Sequence, residues 1–168
     1  MELLKKMITK KIILTSCLFF FGIAAFCQKP VKNGTIYIKH PYIDVVNKAA
    51  KAYLAKDDAT NRKIYSDTAK FWVSGMKKHI KLEEAIKMWD SDFDHFDNIT
   101  LTPVGYPDYL HYIDKGQKYV QSWWKESGKS KKTGEIVTVD FVMFDLFNKD
   151  GKIVDEGIYG DFSKWAKE

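Results

Sequence analysis

The chain has 168 residues and a formal net charge of +5, from 27 Lys and Arg against 22 Asp and Glu. Both of its cysteines and four of its lysines lie within residues 1–27; without that segment, 141 residues with a net charge of +2 and no cysteine remain. This remainder excludes disulfides, thiolate metal sites and cysteine nucleophiles. It gives no electrostatic reason to expect nucleic acid as a partner, and it is long enough for one domain with a substantial core.

Residues 1–27 have the layout of a cleavable export signal: four lysines, then an apolar run from Ile12 to Phe26 that ends among small residues. The run is shorter than the ~20 apolar residues that a membrane-spanning helix needs. Cleavage after Cys27 would leave Ala25 and Cys27 in the two small-residue positions before the cut, and predicts a periplasmic or secreted protein. Lipidation of Cys27 is the alternative, and it would attach the protein to a membrane; however, Phe26 stands where a lipobox has a small residue.

Three helices are predicted next, after an N-terminal extension at 28–40 and within a domain that spans 41–168. Pro41 begins the first helix, whose apolar residues recur at helical spacing, and the second covers 59–65. A short strand at 71–73 precedes the third helix. The apolar positions of that helix form one stripe, made of Leu82, Ala85, Ile86, Trp89, Phe93 and Phe96.

From residue 98 onward the pattern changes to strands that are rich in β-branched and aromatic residues, separated by turns that contain glycine. Strands are predicted at 99–104, 110–113, 119–124, 136–147 and 153–159. The charged run 125–132 is interpreted as a solvated hairpin loop. Helices at the front and antiparallel strands behind predict an α+β domain, in which the helices cover one face of the sheet.

Four stretches, in this order and spacing, resemble the NTF2-like superfamily and within it the SnoaL-like proteins. They are Ala55-Lys56-Asp57-Asp58, Tyr65-Ser66-Asp67-Thr68-Ala69-Lys70-Phe71-Trp72, Leu82-Glu83-Glu84-Ala85 and Phe147-Asn148-Lys149-Asp150-Gly151-Lys152-Ile153. The resemblance covers nearly all of the chain after the signal. It implies a cone in which a strongly curved antiparallel sheet wraps around about three N-terminal helices, with a blind pocket between sheet and helices, usually in a homodimer.

The strand at 136–147 fits that arrangement because both of its faces are apolar. One face can line the pocket, and a partner subunit could cover the other. Trp123 and Trp124 are adjacent in their strand, so only one of them can face inward. The side chains predicted to line the pocket and bind a small, largely apolar molecule are Trp72, Trp89, Phe93, Trp123, Phe141 and Met143.

Catalysis is the alternative to binding alone. Ketosteroid isomerases of the superfamily use two aspartates whose positions fall at Val73 and Met143 here, and neither of these residues can transfer a proton. SnoaL-like cyclases use an aspartate just after the last strand as general acid and base, which Asp161 matches, with Tyr159 as an orienting hydroxyl. The alternative for Asp161 is a structural role, in which it ends the strand and caps the residues that follow it.

Two further interpretations remain. The cone could serve as an assembly module whose pocket is filled by its own side chains. The aspartates between 90 and 97 alternate as in an EF-hand, but His95 and Leu101 occupy the positions of the essential glycine and glutamate, so no metal and no cofactor is expected. The prediction is therefore an exported pocket protein, with an enzyme that works through Asp161 as the alternative.

Overall fold

In a computed structural model, which describes residues 31–168, three helices pack against one large sheet. The predicted export signal and Cys27 lie outside the described residues. The helices are α1 (Pro41–Leu54), α2 (Asp58–Ile64) and α3 (Leu82–His95). The strands are β1 (Gly34–Tyr37), β2 (Tyr65–Val73), β3 (Ile80–Lys81), β4 (Phe96–Pro103), β5 (Asp108–Tyr112), β6 (Lys118–Ser130), β7 (Ile136–Phe147) and β8 (Ile153–Gly160), and a short 3₁₀ turn, Trp165–Lys167, follows.

The first helix begins where its local sequence requires it to begin. Pro41 occupies the first turn, where a missing N–H is tolerated, and His40 caps the helix by accepting a hydrogen bond from the Tyr42 amide at 3.1 Å. In α2, the Asp57 carboxylate accepts from the Thr60 amide at 3.0 Å and plays the same part. Both of these helices therefore start at a residue whose side chain caps the first turn.

The eight strands form one curved, mixed sheet in the order β1-β5-β6-β7-β8-β2-β3, with β4 pairing with β6 outside that path. Every pairing is antiparallel except β2 with β8, which is parallel. The α+β architecture predicted from the sequence is confirmed. The long pair β6–β7 forms the middle of the sheet, and its inner face carries the residues that matter below.

Three details differ from the sequence prediction. Most of the charged run 125–132 is a strand and not a loop, because β6 continues to Ser130 with alternate side chains buried. Phe96 lies in β4 rather than in the third helix. Residues 34–37 of the predicted extension form an edge strand that pairs with β5. In each case tertiary pairing with a neighbouring strand outweighs a local pattern that is too short or too polar to indicate a strand.

The helices and the inner face of the sheet share one core. Its most deeply buried members include Val46 of α1, Phe71 of β2 and Val120 of β6. A second cluster, made of Phe96, Val137, Val139 and Trp165, joins the 3₁₀ turn to the sheet. Among the helices of residues 31–168, none is both long and apolar enough to span a membrane.

Candidate functional site

A cavity of about 930 Å³ opens between the helices and the inner face of the sheet. α1 and α3 form one wall, β6, β7 and β8 form the other, and residues 160–168 close part of the rim. Aromatic side chains dominate the lining, among them Tyr53, Tyr65, Trp89, Trp124 and Phe141. A cavity of this size and apolar character falls in the range of about 300–1,000 Å³ that is typical of small-molecule sites.

One hydroxyl joins two carboxyl groups in the cavity wall. The Tyr53 hydroxyl lies 2.6 Å from Glu126 Oε1 and 3.1 Å from Asp92 Oδ2. Asp92 also accepts a hydrogen bond from the indole N–H of Trp165 at 2.8 Å. Because α1, α3 and β6 each supply one of these three groups, only the tertiary fold assembles the acidic triad Tyr53–Asp92–Glu126.

Burial controls the protonation of this acidic triad. Desolvation raises the pKa of Glu126 to about 7, although the hydrogen bond from Tyr53 lowers this pKa. Desolvation likewise raises the pKa of Asp92, and it raises that of Tyr53 far above its ordinary value. Glu126 is therefore a buried acid that changes its charge near neutral pH.

A second group of acids lies on β7 and β8. Glu156 lines the cavity and accepts a hydrogen bond from the Tyr65 hydroxyl at 2.5 Å. Asp145, its direct cross-strand partner, is fully buried, and among the described residues neither of its oxygens has a hydrogen-bond donor. Burial raises the pKa of both carboxyl groups.

Sequence comparisons do not place the chain: no family model and no curated protein matches it. The search of solved structures finds 220 matching chains. One is an NTF2-like protein of unknown function from Burkholderia pseudomallei, with a TM-score of 0.60, 13% identity, and coverage of 77% of this chain and 97% of that one. The chain has the NTF2-like fold. At such low identity the likeness shows the fold and not the activity.

Two other proteins with the NTF2-like fold carry more specific descriptions. Wild-type IdmH of Streptomyces antibioticus, a candidate polyketide cyclase, has a TM-score of 0.59 and 15% identity, with coverage of 76% of this chain and 97% of that one. A protein with a ketosteroid isomerase-like fold from Catenulispora acidiphila, in complex with trimethylamine, has a TM-score of 0.55 and 11% identity, with coverage of 68% and 83%.

The NTF2-like cavity includes some of the side chains that the sequence predicts to line it. Trp89, Phe141 and Met143 are part of its lining. Trp72, Phe93 and Trp123 lie outside the lining. Of the two adjacent tryptophans, Trp124 faces inward, where it is buried and lines the cavity, whereas Trp123 is half-buried on the opposite face.

Phe93 and Trp72 do not reach the cavity, for different reasons. Phe93 packs against the Tyr53 ring at a centroid distance of 5.5 Å, so it supports a wall residue without reaching the space. Trp72 packs on the outer face of the sheet against Tyr159, with ring centroids 5.1 Å apart. The alternation of a strand decides this, because Phe71, its neighbour in β2, takes the inward position.

The two residues predicted to be catalytic are both exposed. Tyr159 is 50% exposed on the outer face and does not line the cavity. Asp161 lies at the cavity rim, where its carboxylate accepts a hydrogen bond from the Ser163 amide at 2.9 Å. That bond lowers the pKa of Asp161, whereas a base that acts near neutral pH needs a raised one. The geometry of Asp161 is that of a residue that ends a strand and caps a turn.

The buried acids of the cavity were not predicted from the sequence. Val73 and Met143 do line the cavity, and their side chains have no titratable group. Glu126 and Asp92 bring carboxyl groups to the cavity from other positions. The sequence did contain a signal for Glu126. Lys125, Lys129 and Lys131 fall on one side of a two-residue alternation, and Glu126 falls on the other side with Trp124, as in a strand with one polar face. Among the described residues, no three His, Cys, Asp or Glu side chains lie together in a way that could hold a metal ion.

Proposed function

We propose that this protein binds a small, largely apolar molecule in the cavity between its helices and its sheet. One observation carries the proposal, namely the aromatic cavity of about 930 Å³. A water molecule takes up roughly 30 Å³ in the liquid, so the space is far larger than a packing defect. An assembly module whose pocket is filled by its own side chains would not keep a space of this size.

Two further observations support the proposal. A protein with a ketosteroid isomerase-like fold, from Catenulispora acidiphila, is found in complex with trimethylamine, so a protein with a similar fold can bind a small organic molecule. The predicted export signal at 1–27 supports a site of action outside the cytoplasm, in the periplasm or the medium. Native mass spectrometry of the protein purified from its own host would report a retained ligand and the true N-terminus in one measurement.

A substitution that fills the cavity tests the proposal directly. Ala50 of α1 lines the cavity, and we expect Ala50→Trp to retain at least tenfold less ligand than the wild type in native mass spectra, because the indole occupies the space of the ligand. The control is Ala59→Trp in α2, where the side chain is exposed. Equal retention by Ala50→Trp and Ala59→Trp, with unchanged melting curves, would contradict binding in this cavity.

Acid–base catalysis is the second candidate function, and one observation favours it: the pKa of Glu126, about 7, suits proton transfer near neutral pH. Such an enzyme would work through Glu126 rather than through the exposed Asp161. Exchange of carbon-bound hydrogens of the retained ligand with D₂O would identify this activity if it occurs with the wild type and is absent with Glu126→Gln.

We also propose that two copies of the chain associate through the outer face of the sheet. That face carries half-buried aromatic and aliphatic side chains on β7 and β6, including Phe144 and Trp123, which a single copy leaves in contact with water. We expect the wild type to sediment as a dimer and Phe144→Glu to sediment as a monomer. The control is Ala59→Glu, at an exposed position of α2 outside that face, which should leave the dimer intact. A monomeric wild type would overturn this proposal.

A further inference from the structure

The charges of this protein are segregated in an unusual way. Five carboxyl groups line the cavity, contributed by Asp92, Glu126, Glu156, Asp161 and Glu168. The chain as a whole has 27 Lys and Arg, yet none of them is part of this lining, and His95 at the rim is the single basic side chain there. Within the part of the chain that the structure describes, the interior therefore contains buried acids without a cationic side chain to balance them.

When Glu126 is ionised, the acidic triad lacks one hydrogen-bond donor. A tyrosine hydroxyl carries one proton, so Tyr53 can donate to only one of the two carboxyl groups that it contacts. The other oxygen of Glu126, Oε2, has no hydrogen-bond partner among the described residues, although Glu126 is only 7% exposed and lines the cavity. This oxygen is not closed off from the cavity, since the fully enclosed, unpartnered carboxylate oxygens belong to Asp145 alone.

We infer that the ligand is an organic cation, an amine or ammonium compound with an apolar body, whose charged nitrogen binds to the carboxylates of Glu126 and Asp92. This inference rests on the proposed function of the cavity and specifies its ligand class. An ammonium group has up to three N–H donors and no acceptor, so it supplies a donor to Glu126 Oε2 and a countercharge to both carboxylates. A charge-assisted hydrogen bond in a desolvated site is stronger than its neutral counterpart.

The aromatic lining suits the same ligand class. Cations are attracted to the faces of aromatic rings at centroid distances within about 6 Å, and Tyr53, Trp89, Trp124 and Phe141 all line the cavity. An anionic ligand would meet carboxyl groups and no basic side chain of the interior. A neutral ligand would leave an ionised Glu126 without a countercharge.

The charge on Glu126 also makes the expected binding depend on pH. The titratable groups that face Glu126 are Tyr53 from α1 and Asp92 from α3; its cross-strand neighbours, Leu101 in β4 and Val139 in β7, carry no charge. A cation binds the ionised form, and its own pKa of about 10 keeps an amine charged throughout the neutral range. Affinity for an amine should therefore rise from pH 5.5 to pH 8, and binding near pH 7 should release protons from the protein.

Three matched probes test the inference by calorimetry: 4-phenylbutylamine, 4-phenylbutanol and 4-phenylbutyrate. At pH 8 we expect the amine to bind at least tenfold more tightly than the alcohol, and the carboxylate more weakly than either. In Glu126→Gln the advantage of the amine over the alcohol should fall at least fivefold, whereas the exposed control Glu135→Gln should keep it. Titrations in two buffers of different ionisation enthalpy report the proton release.

Each alternative outcome is decisive. If the alcohol binds as tightly as the amine, or the carboxylate binds best, the cation preference is overturned while binding in the cavity stands. If none of the probes binds, the inference is again overturned, and the ligand retained in native mass spectra decides the proposed function separately. If Glu126→Gln does not fold, the probe series and the pH dependence of the wild type still test the inference.

Discussion

Replacing Trp165 with alanine is expected to lower the free energy of unfolding by about 3–5 kcal/mol, the range for deleting a large buried aromatic side chain. Trp165 is 8% exposed and stacks on Phe96 with ring centroids 3.9 Å apart. Its indole N–H also donates a hydrogen bond to the Asp92 carboxyl group. The substitution therefore removes the main anchor of the 3₁₀ turn and opens the rim of the cavity.

Trp165→Phe separates the two contributions, because it keeps an aromatic ring against Phe96 and deletes only the N–H group. A loss of about 1.5–3 kcal/mol is expected for this variant, because a hydrogen bond to a charged group is lost. Urea unfolding followed by circular dichroism measures both variants. If Trp165→Ala unfolds within about 1 kcal/mol of the wild type, residues 161–168 are not held on the sheet as described.

Replacing Asp145 with asparagine is expected to raise the free energy of unfolding at pH 8 by about 1–3 kcal/mol, the magnitude associated with a buried polar group that lacks a partner. Asp145 is 0% exposed beside Glu156, and burial raises the pKa of both groups. The asparagine side chain is neutral at every pH, and its N–H₂ group can donate to Glu156.

The sign of the pH dependence follows from the raised pKa values. Below the unfolded values of 3.8 for Asp145 and 4.5 for Glu156, both states are protonated and the groups do not affect stability. As the pH rises above those values, the unfolded chain releases protons that the folded state retains, so wild-type stability falls with increasing pH. The gain from Asp145→Asn should therefore be small near pH 4 and largest at alkaline pH.

Urea unfolding at pH 4.5, 6 and 8 measures this prediction. The matched control is Asp140→Asn, on the same strand, whose side chain is 71% exposed and 3.8 Å from Lys125; its stability should change little at any pH. A loss of stability with Asp145→Asn at pH 8 would show that the carboxyl group of Asp145 is stabilising, in contradiction to the burial argument.

Much of the fold could be predicted from local sequence patterns. The 3.6-residue periodicity of the segment that begins at Pro41 and the alternation in 136–147 each depend only on neighbours along the chain, and both elements are present. The turn at Asn148–Gly151 is of the same kind, because glycine permits the positive φ of 76° that it needs at residue 151. The resemblance to the NTF2-like superfamily then arranged these elements correctly.

The candidate site could not be predicted from local patterns, because its chemistry comes from pairs of residues that are remote in sequence. Tyr53 and Glu126 are 73 residues apart, and Tyr65 and Glu156 are 91 apart, so no local motif joins them. Asp161 was the residue that the family pattern indicated, but exposure and a hydrogen bond from Ser163 leave its carboxylate with a lowered pKa. An aspartate at the position of the family's catalytic aspartate is not necessarily buried, because its exposure depends on the residues that pack around it.

The sequence by itself determined the three helices and six of the eight strands, the absence of cysteine after residue 27 and the supply of aromatic side chains for an apolar interior. The tertiary structure alone decided which face each strand turns inward, and hence that Trp124 rather than Trp123 lines the cavity. It also decided that Glu126, within a run of charged residues, becomes a buried acid. The reason is physical: a pKa and a pocket depend on which groups lie within a few ångströms in space, and curvature of the sheet brings those groups together from distant parts of the chain.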